Sequence, residues 1–162
     1  MPIVDTLLRL AEEPAAFYTP KWSSDILAEV RKVLRERLGY SDQQVERRIA
    51  VMRDHFPDAM VEGYEGLIPV MTNDSSDRHV LAAAVKGGAH CIVTNNTKHF
   101  PTASLAPYGL DCLTADCFLE HQYHLDPDAF IEVLVEQARD VGWTLPKLIS
   151  RHVPSLSRLI GT

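Results

Sequence analysis

Apolar residues recur along this chain with two different periods, and their alternation predicts short strands set between amphipathic helices. From Ser23 or Ser24 to about Leu38 they fall at positions 26, 27, 30, 33 and 34, the spacing of a helix with one buried face, and Gly39 closes the run. Ser41-Asp42-Gln43-Gln44 reads as a capping box. The helix it opens turns Val45, Ile49, Met52 and Phe56 inward and Arg47, Arg48 and Arg53 outward. Asp5-Thr6-Leu7-Leu8-Arg9-Leu10 reads as a helix capped by Asp5 and ending near Pro14. Further helices are predicted from about Ser75 to Lys86, stopped by Gly87-Gly88, and from Thr114. Asp126-Pro127, a cap followed by proline at the first helical position, starts another that runs to about Val141, and Thr144 opens the last helical segments.

Between these helices lie short apolar runs. Cys91-Ile92-Val93-Thr94 is continuous, as in a central parallel strand covered on both faces. Phe17-Tyr18-Thr19-Pro20, Ala59-Met60-Val61-Glu62 and Asp111-Cys112-Leu113 are the other strand candidates. The alternation predicts an α/β fold in three layers, a mostly parallel sheet flanked by helices. With no repeat, low-complexity tract or long linker, the organisation expected is one domain over residues 1–125 and a helical extension over 126–162 packed on it.

Composition narrows the class. A chain of 162 residues, 46% hydrophobic and 23% charged, fits a single globular core. No stretch approaches the roughly 20 apolar residues of a membrane span. The start lacks a secretory pattern, so a cytoplasmic location is the default expectation. Cys91, Cys112 and Cys117 are then read as reduced thiols. The net charge of −6 argues against broad phosphate neutralisation. It is compatible with carboxylates that hold divalent cations, and equally with no nucleic-acid role.

Three places carry candidate chemistry. In Asn73-Asp74-Ser75-Ser76-Asp77-Arg78-His79-Val80-Leu81-Ala82-Ala83-Ala84, helical spacing puts Val80, Leu81, Ala84 and Val85 on the buried face. Asp77 points the same way, one turn before Leu81, and a carboxylate there needs a partner or a metal. The plain alternative is a variant capping box, with Asp74 as cap and Asp77 three residues on. Glu29 flanks the stripe of Ile26, Val30 and Val33, where acids are usually solvated or ion-paired. Thr94-Asn95-Asn96-Thr97-Lys98-His99-Phe100-Pro101 follows the central strand candidate, and ligands of open parallel sheets gather at strand carboxyl ends. Asn-rich segments are also ordinary turns. Cys112, Cys117, His121 and His124 match no standard zinc spacing.

The run Asp77-Arg78-His79-Val80-Leu81-Ala82-Ala83-Ala84, then Ile92-Val93-Thr94-Asn95-Asn96 and Lys98-His99-Phe100-Pro101, resembles the second half of a PIN domain. Trp22-Ser23-Ser24-Asp25-Ile26-Leu27-Ala28-Glu29-Val30 is similar to that family's helix bearing one of its acids, and the match runs in order from about Leu7 to Phe118. The resemblance implies a ribonuclease that uses Mg²⁺ or Mn²⁺, with Glu29 and Asp77 as metal-binding and catalytic carboxylates. Thr94, Asn95, Asn96 and His99 become groups that orient water or substrate, with Asp74 a weaker candidate. Asn96 and His99 stand where acids are common in the family, and imidazole is a poor Mg²⁺ ligand. The family's first aspartate ends a first strand; here Asp5 aligns with the helix start, so an N-terminally truncated form with weak metal binding is the expectation. The partners implied are RNA, an antitoxin protein and a second copy of the chain, with no membrane. A non-enzymatic RNA-binding or protein-interaction relative is the competing function, and a receiver-like α/β domain a third.

Overall fold

The computed structural model describes Pro2–Ile160. Helix α1 spans Pro2–Ala11, α2 Ser24–Glu36 and α3 Asp42–His55. After three-residue-per-turn segments at Pro57–Ala59, Glu65–Val70 and Ser75–Asp77 come α4, Arg78–Lys86, and strand β1, Cys91–Val93. A tight turn at Thr97–His99 leads to α5, Thr102–Leu105, and a second at Ala106–Tyr108 leads to β2, Asp111–Leu113. Helices α6 (Ala115–Leu125), α7 (Pro127–Asp140), α8 (Leu145–His152) and α9 (Pro154–Ile160) complete the chain.

Local chemistry sets most of these starts. The Ser41 hydroxyl accepts from Gln44 N–H at 3.3 Å and the Gln44 side chain accepts from Ser41 N–H at 2.9 Å, the reciprocal box expected at the head of α3. Val45, Ile49 and Met52 are buried below it, while Phe56 is half-buried. Ser23 caps α2 through Ile26 N–H, Thr114 caps α6 through Cys117 N–H, and Asp126 caps α7 through Ala129 N–H. Helix α1 differs from expectation. It begins at Pro2, whose missing N–H costs nothing in a first turn, so Asp5 lies inside the helix and is not its cap.

The sheet is smaller than predicted. Among the described residues it has two strands, β1 beside β2. Asp111 N–H donates to His90 C=O at 3.1 Å and Thr94 N–H to Leu113 C=O at 2.9 Å, a parallel register. Residues 17–20 form no strand. Their aromatic rings pack edge-on instead, Phe17 against Phe130 and Tyr18 against Phe118. Residues 59–62 contribute a single parallel bridge, Trp22 to Met60, because the tight turn at Pro57–Ala59 takes up the residues a ladder would need. The architecture is α/β, a small parallel sheet with many helices.

The chain forms two compact units, one of the segments up to Thr19, Val93–Asn95 and from Leu113 onward, the other of Pro20–Ile92 and Asn96–Cys112. The first has its own core of Leu10, Leu119, Phe130, Leu134, Leu148, Ile149 and Leu156, none of them exposed. The second is built on Leu81, Ala82, Ala83 and Ala84 of α4 with Val61, Tyr64, Ile92 and Phe100. Gly87 ends α4 where a side chain would not fit, since a Cβ there would stand 2.7 Å from Val61 Cγ2. Among the described residues no helix is long and apolar enough to cross a membrane.

Candidate functional site

The segment leading into α4 sorts its two aspartates into different tasks. Asp74 caps the tight turn, accepting from Ser76 N–H at 3.0 Å and from the Ser76 hydroxyl at 2.7 Å. The Ser76 hydroxyl, then the Ser76 N–H, hold its carboxyl below the usual range, and nearby His99 and Lys98 add to this. Asp77 precedes the first residue of α4 yet makes no capping bond. Its Oδ2 lies 2.6 Å from His99 Nδ1. An ionised carboxylate can only accept, so Nδ1 carries the proton and donates, and Nε2 is the nitrogen left for another partner.

His99 is brought there by the backbone. The turn Thr97–His99 is closed by His99 N–H donating to Asn96 C=O at 3.1 Å, and His99 C=O accepts from Asp74 N–H at 3.2 Å. Phe100, only 5% exposed, anchors the turn in the core of this unit. Asp74 Oδ1 stands 4.0 Å from the same Nδ1. Asp74, Asp77 and His99 therefore form one cluster, its groups separated by 22 or more residues only where His99 is concerned.

Glu29 belongs to a different pairing. Its side chain is 57% exposed, and Oε1 lies 3.4 Å from Nε2 of His79, itself only 14% exposed. That approach lacks hydrogen-bond alignment, so the buried Nε2 has no bonded partner. Beside Asp74, the Asn73 side chain is equally unusual. The residue is 4% exposed, and neither its amide nitrogen nor its amide oxygen meets a protein partner. Of the remaining candidates, Thr94 donates its N–H to Leu113, Asn95 is exposed, and Asn96 opens the turn that carries His99.

Sequence reading placed Asp74, Asp77 and His99 as separate candidates and missed His79 and Asn73. The helical spacing that singled out Asp77 could not show a pairing 22 residues away. His79 was legible only as a polar residue in an otherwise apolar helix face.

The donor set can be tested for a divalent cation. Oxygen donors are present, but Asp77 is taken by an imidazole and Glu29 faces another. Among the described residues no three His, Cys, Asp or Glu converge closely enough to hold an ion. As arranged, these side chains do not fit Mg²⁺ or Mn²⁺, which need several converging oxygens. Of Cys112, Cys117, His121 and His124, Cys117 Sγ and His121 Nε2 are 3.8 Å apart, and no zinc set is assembled among the described residues. A cavity of about 350 Å³ in the same unit is lined by Leu27, Arg31, Arg53, Met60 and Tyr64 among others, and none of the residues above faces it.

A PIN domain model matches residues 6–98. A protein of Mycobacterium tuberculosis (strain ATCC 25618 / H37Rv) named "Putative ribonuclease VapC50" is 47% identical over 77 residues, which is 48% of this chain and 46% of the relative. The matched part thus spans about half the length of that relative. No solved structure matches.

Proposed function

The chain belongs to the PIN domain family, and from that membership we propose that it is a ribonuclease of the toxin type, cutting phosphodiester bonds of RNA slowly. The observation that carries this reading is Asp77. It opens α4 inside the matched segment with its carboxylate free of any capping duty and poised with Asp74 and His99. The relative's printed name supports the substrate class. The partners that follow are RNA and an antitoxin protein, with a second copy of the chain as a further partner and the cytoplasm as the place of action.

The cation of this reading is Mg²⁺ or Mn²⁺, weakly held. Affinity for a hard cation scales with the number and charge of oxygens that converge. Here His99 occupies Asp77 and His79 faces Glu29, so binding requires displacing an imidazole first. In this reading Asp77 holds His99 in one tautomer and Asp74 closes the turn beneath it, and Asn96, which opens the turn carrying His99, is assigned to orienting substrate or water.

The second reading is a catalytically silent PIN module that binds RNA or a protein, and it is favoured by the same pairing of acids with histidines. One assay separates the two. Single-stranded RNA is incubated with the full chain and Mn²⁺, in parallel with Asp77→Asn and Glu29→Gln. The nuclease reading expects slow cleavage that falls at least tenfold in Asp77→Asn. Equal cleavage by wild type and Asp77→Asn contradicts it, and RNA binding with no cleavage at any Mn²⁺ concentration establishes the silent module.

A further inference from the structure

Residues 141–162 hold Lys147, Arg151 and Arg158 and no Asp or Glu, while residues 1–140 hold 13 Lys and Arg against 22 Asp and Glu. A polyanion approaching this chain is attracted by three basic stretches, residues 31–53, 78–110 and 141–162, and only in the last do two of the cations share one aromatic ring. Within that stretch, α8 sets Lys147 and Arg151 four residues apart, hence on one helix face. Both are exposed, and both lie over the same indole. Lys147 Nζ is 4.6 Å from the Trp143 ring centroid and Arg151 Cζ is 5.6 Å from it.

The indole orders these cations without cancelling them. A ring quadrupole attracts a cation but carries no net charge, whereas a carboxylate would neutralise it. Elsewhere in the chain Arg9, Arg31 and Arg35 are each bound to carboxylates. Among the described residues neither Lys147 nor Arg151 meets a carboxylate within ion-pair distance. Trp143 is itself half-buried against the helical core, and its backbone N–H donates to Ala138 C=O at 2.8 Å. The two cations are therefore held near one position before any ligand arrives, which lowers the ordering cost of binding.

We propose that Trp143, Lys147 and Arg151 form a docking point for the phosphates of single-stranded RNA, Trp143 positioning the two cations that make the contact. The choice of RNA over an acidic protein rests on the ribonuclease reading above; the charge pattern alone asks for a polyanion. The contact is electrostatic, so it carries no base preference and weakens steeply with salt.

The test is binding of a fluorescent oligouridylate to the full chain by anisotropy, in EDTA so that no cleavage intervenes. Lys147→Glu/Arg151→Glu is compared with Lys32→Glu/Arg37→Glu, an equal charge change at exposed positions of the other unit. The expected result is a loss on the order of tenfold for the first pair and less than about threefold for the second. The dependence of log affinity on log salt should flatten by about 1.4, the value for two lost phosphate contacts on a single strand. Equal losses for both pairs, or wild-type binding by the first, overturn the proposal. So does displacement of the RNA by poly-glutamate at equal charge concentration, which would make this an acidic-protein surface. Because the readout is binding, a chain that never cleaves RNA leaves this result interpretable and removes only the nuclease reading.

Discussion

The two units bury polar groups in opposite ways. In the helical unit, the hydroxyl of Thr6, fully buried in α1, donates to Gln137 Oε1 at 2.8 Å and lies 3.0 Å from His152 Nδ1. Gln137 passes the chain on, its Nε2 donating to Asp5 Oδ2 at 3.0 Å, and Arg9 joins Asp5 to Asp140. Helices α1, α7 and α8 are thus tied by one continuous network, in which, among the described residues, His152 Nε2 is the buried side-chain atom left unbonded. In the other unit, Asn73 leaves both amide atoms unbonded and His79 leaves Nε2 unbonded, close in sequence to Asp74 and Asp77. A buried polar group without a partner costs about 1–3 kcal/mol. Unbonded buried groups beside an acid cluster are what the proposed site role of Asp74 and Asp77 leads one to expect, where packing alone would favour bonded ones.

Breaking the network should have the largest effect. Thr6→Val keeps the shape but removes the hydroxyl that bonds Gln137 Oε1 and His152 Nδ1, and a loss of about 3 kcal/mol is expected in urea unfolding. A loss below about 1 kcal/mol would mean that the network is dispensable and that the contrast between units is empty. Ser41→Ala, which removes one bond of the exposed capping box on α3, provides the scale between extremes at about 1 kcal/mol.

Acid should weaken the network more gently. Burial, with Arg151 adding, pushes His152 below the ordinary imidazole range, against the opposing pull of Asp5. The unfolded chain therefore binds a proton that the folded chain resists, so this contribution is fully present above the ordinary His pKa and lost as pH falls through it. Thermal stability should decline from pH 7 to pH 5, and His152→Gln should flatten that slope; an unchanged slope would place the sensitivity elsewhere. The smallest effect on stability is expected from Asn73→Ala, within about 0.5 kcal/mol of wild type, since relief of the unbonded buried amide is offset by the cavity its removal leaves. If it costs as much as Thr6→Val, Asn73 is a structural residue after all.

Local signals in the sequence translated well into local structure. The Ser41–Gln44 box, the Asp126-Pro127 start and the Cys91–Val93 strand each depend on residues within one turn or one strand and lie where they are expected. Among the described residues, however, that strand is one of two and Val93 is exposed, so it is not the central strand covered on both faces that its apolar run suggested. The strands predicted at 17–20 and 59–62 failed because apolar, β-prone residues have two uses. Phe17 and Tyr18 fill gaps between helices, and Met60 sits where a tight turn leaves room for one bridge. The acid cluster was half legible. Asp77 stood out through its place on a buried helix face, but its partner arrives from a turn beyond β1, and no periodicity carries information across that distance.

The central claim is that His99 holds Asp77 in a pairing that competes with a divalent cation. Titration of Mn²⁺ into the full chain, followed by electron paramagnetic resonance of the free ion, tests it without reference to activity. His99→Asp converts the competitor into a third oxygen ligand beside Asp77 and Asp74 and adds negative charge, so Mn²⁺ affinity should rise on the order of tenfold or more over a weak wild-type value. Equal affinity in the two proteins, or tight binding by the wild type, would contradict the claim.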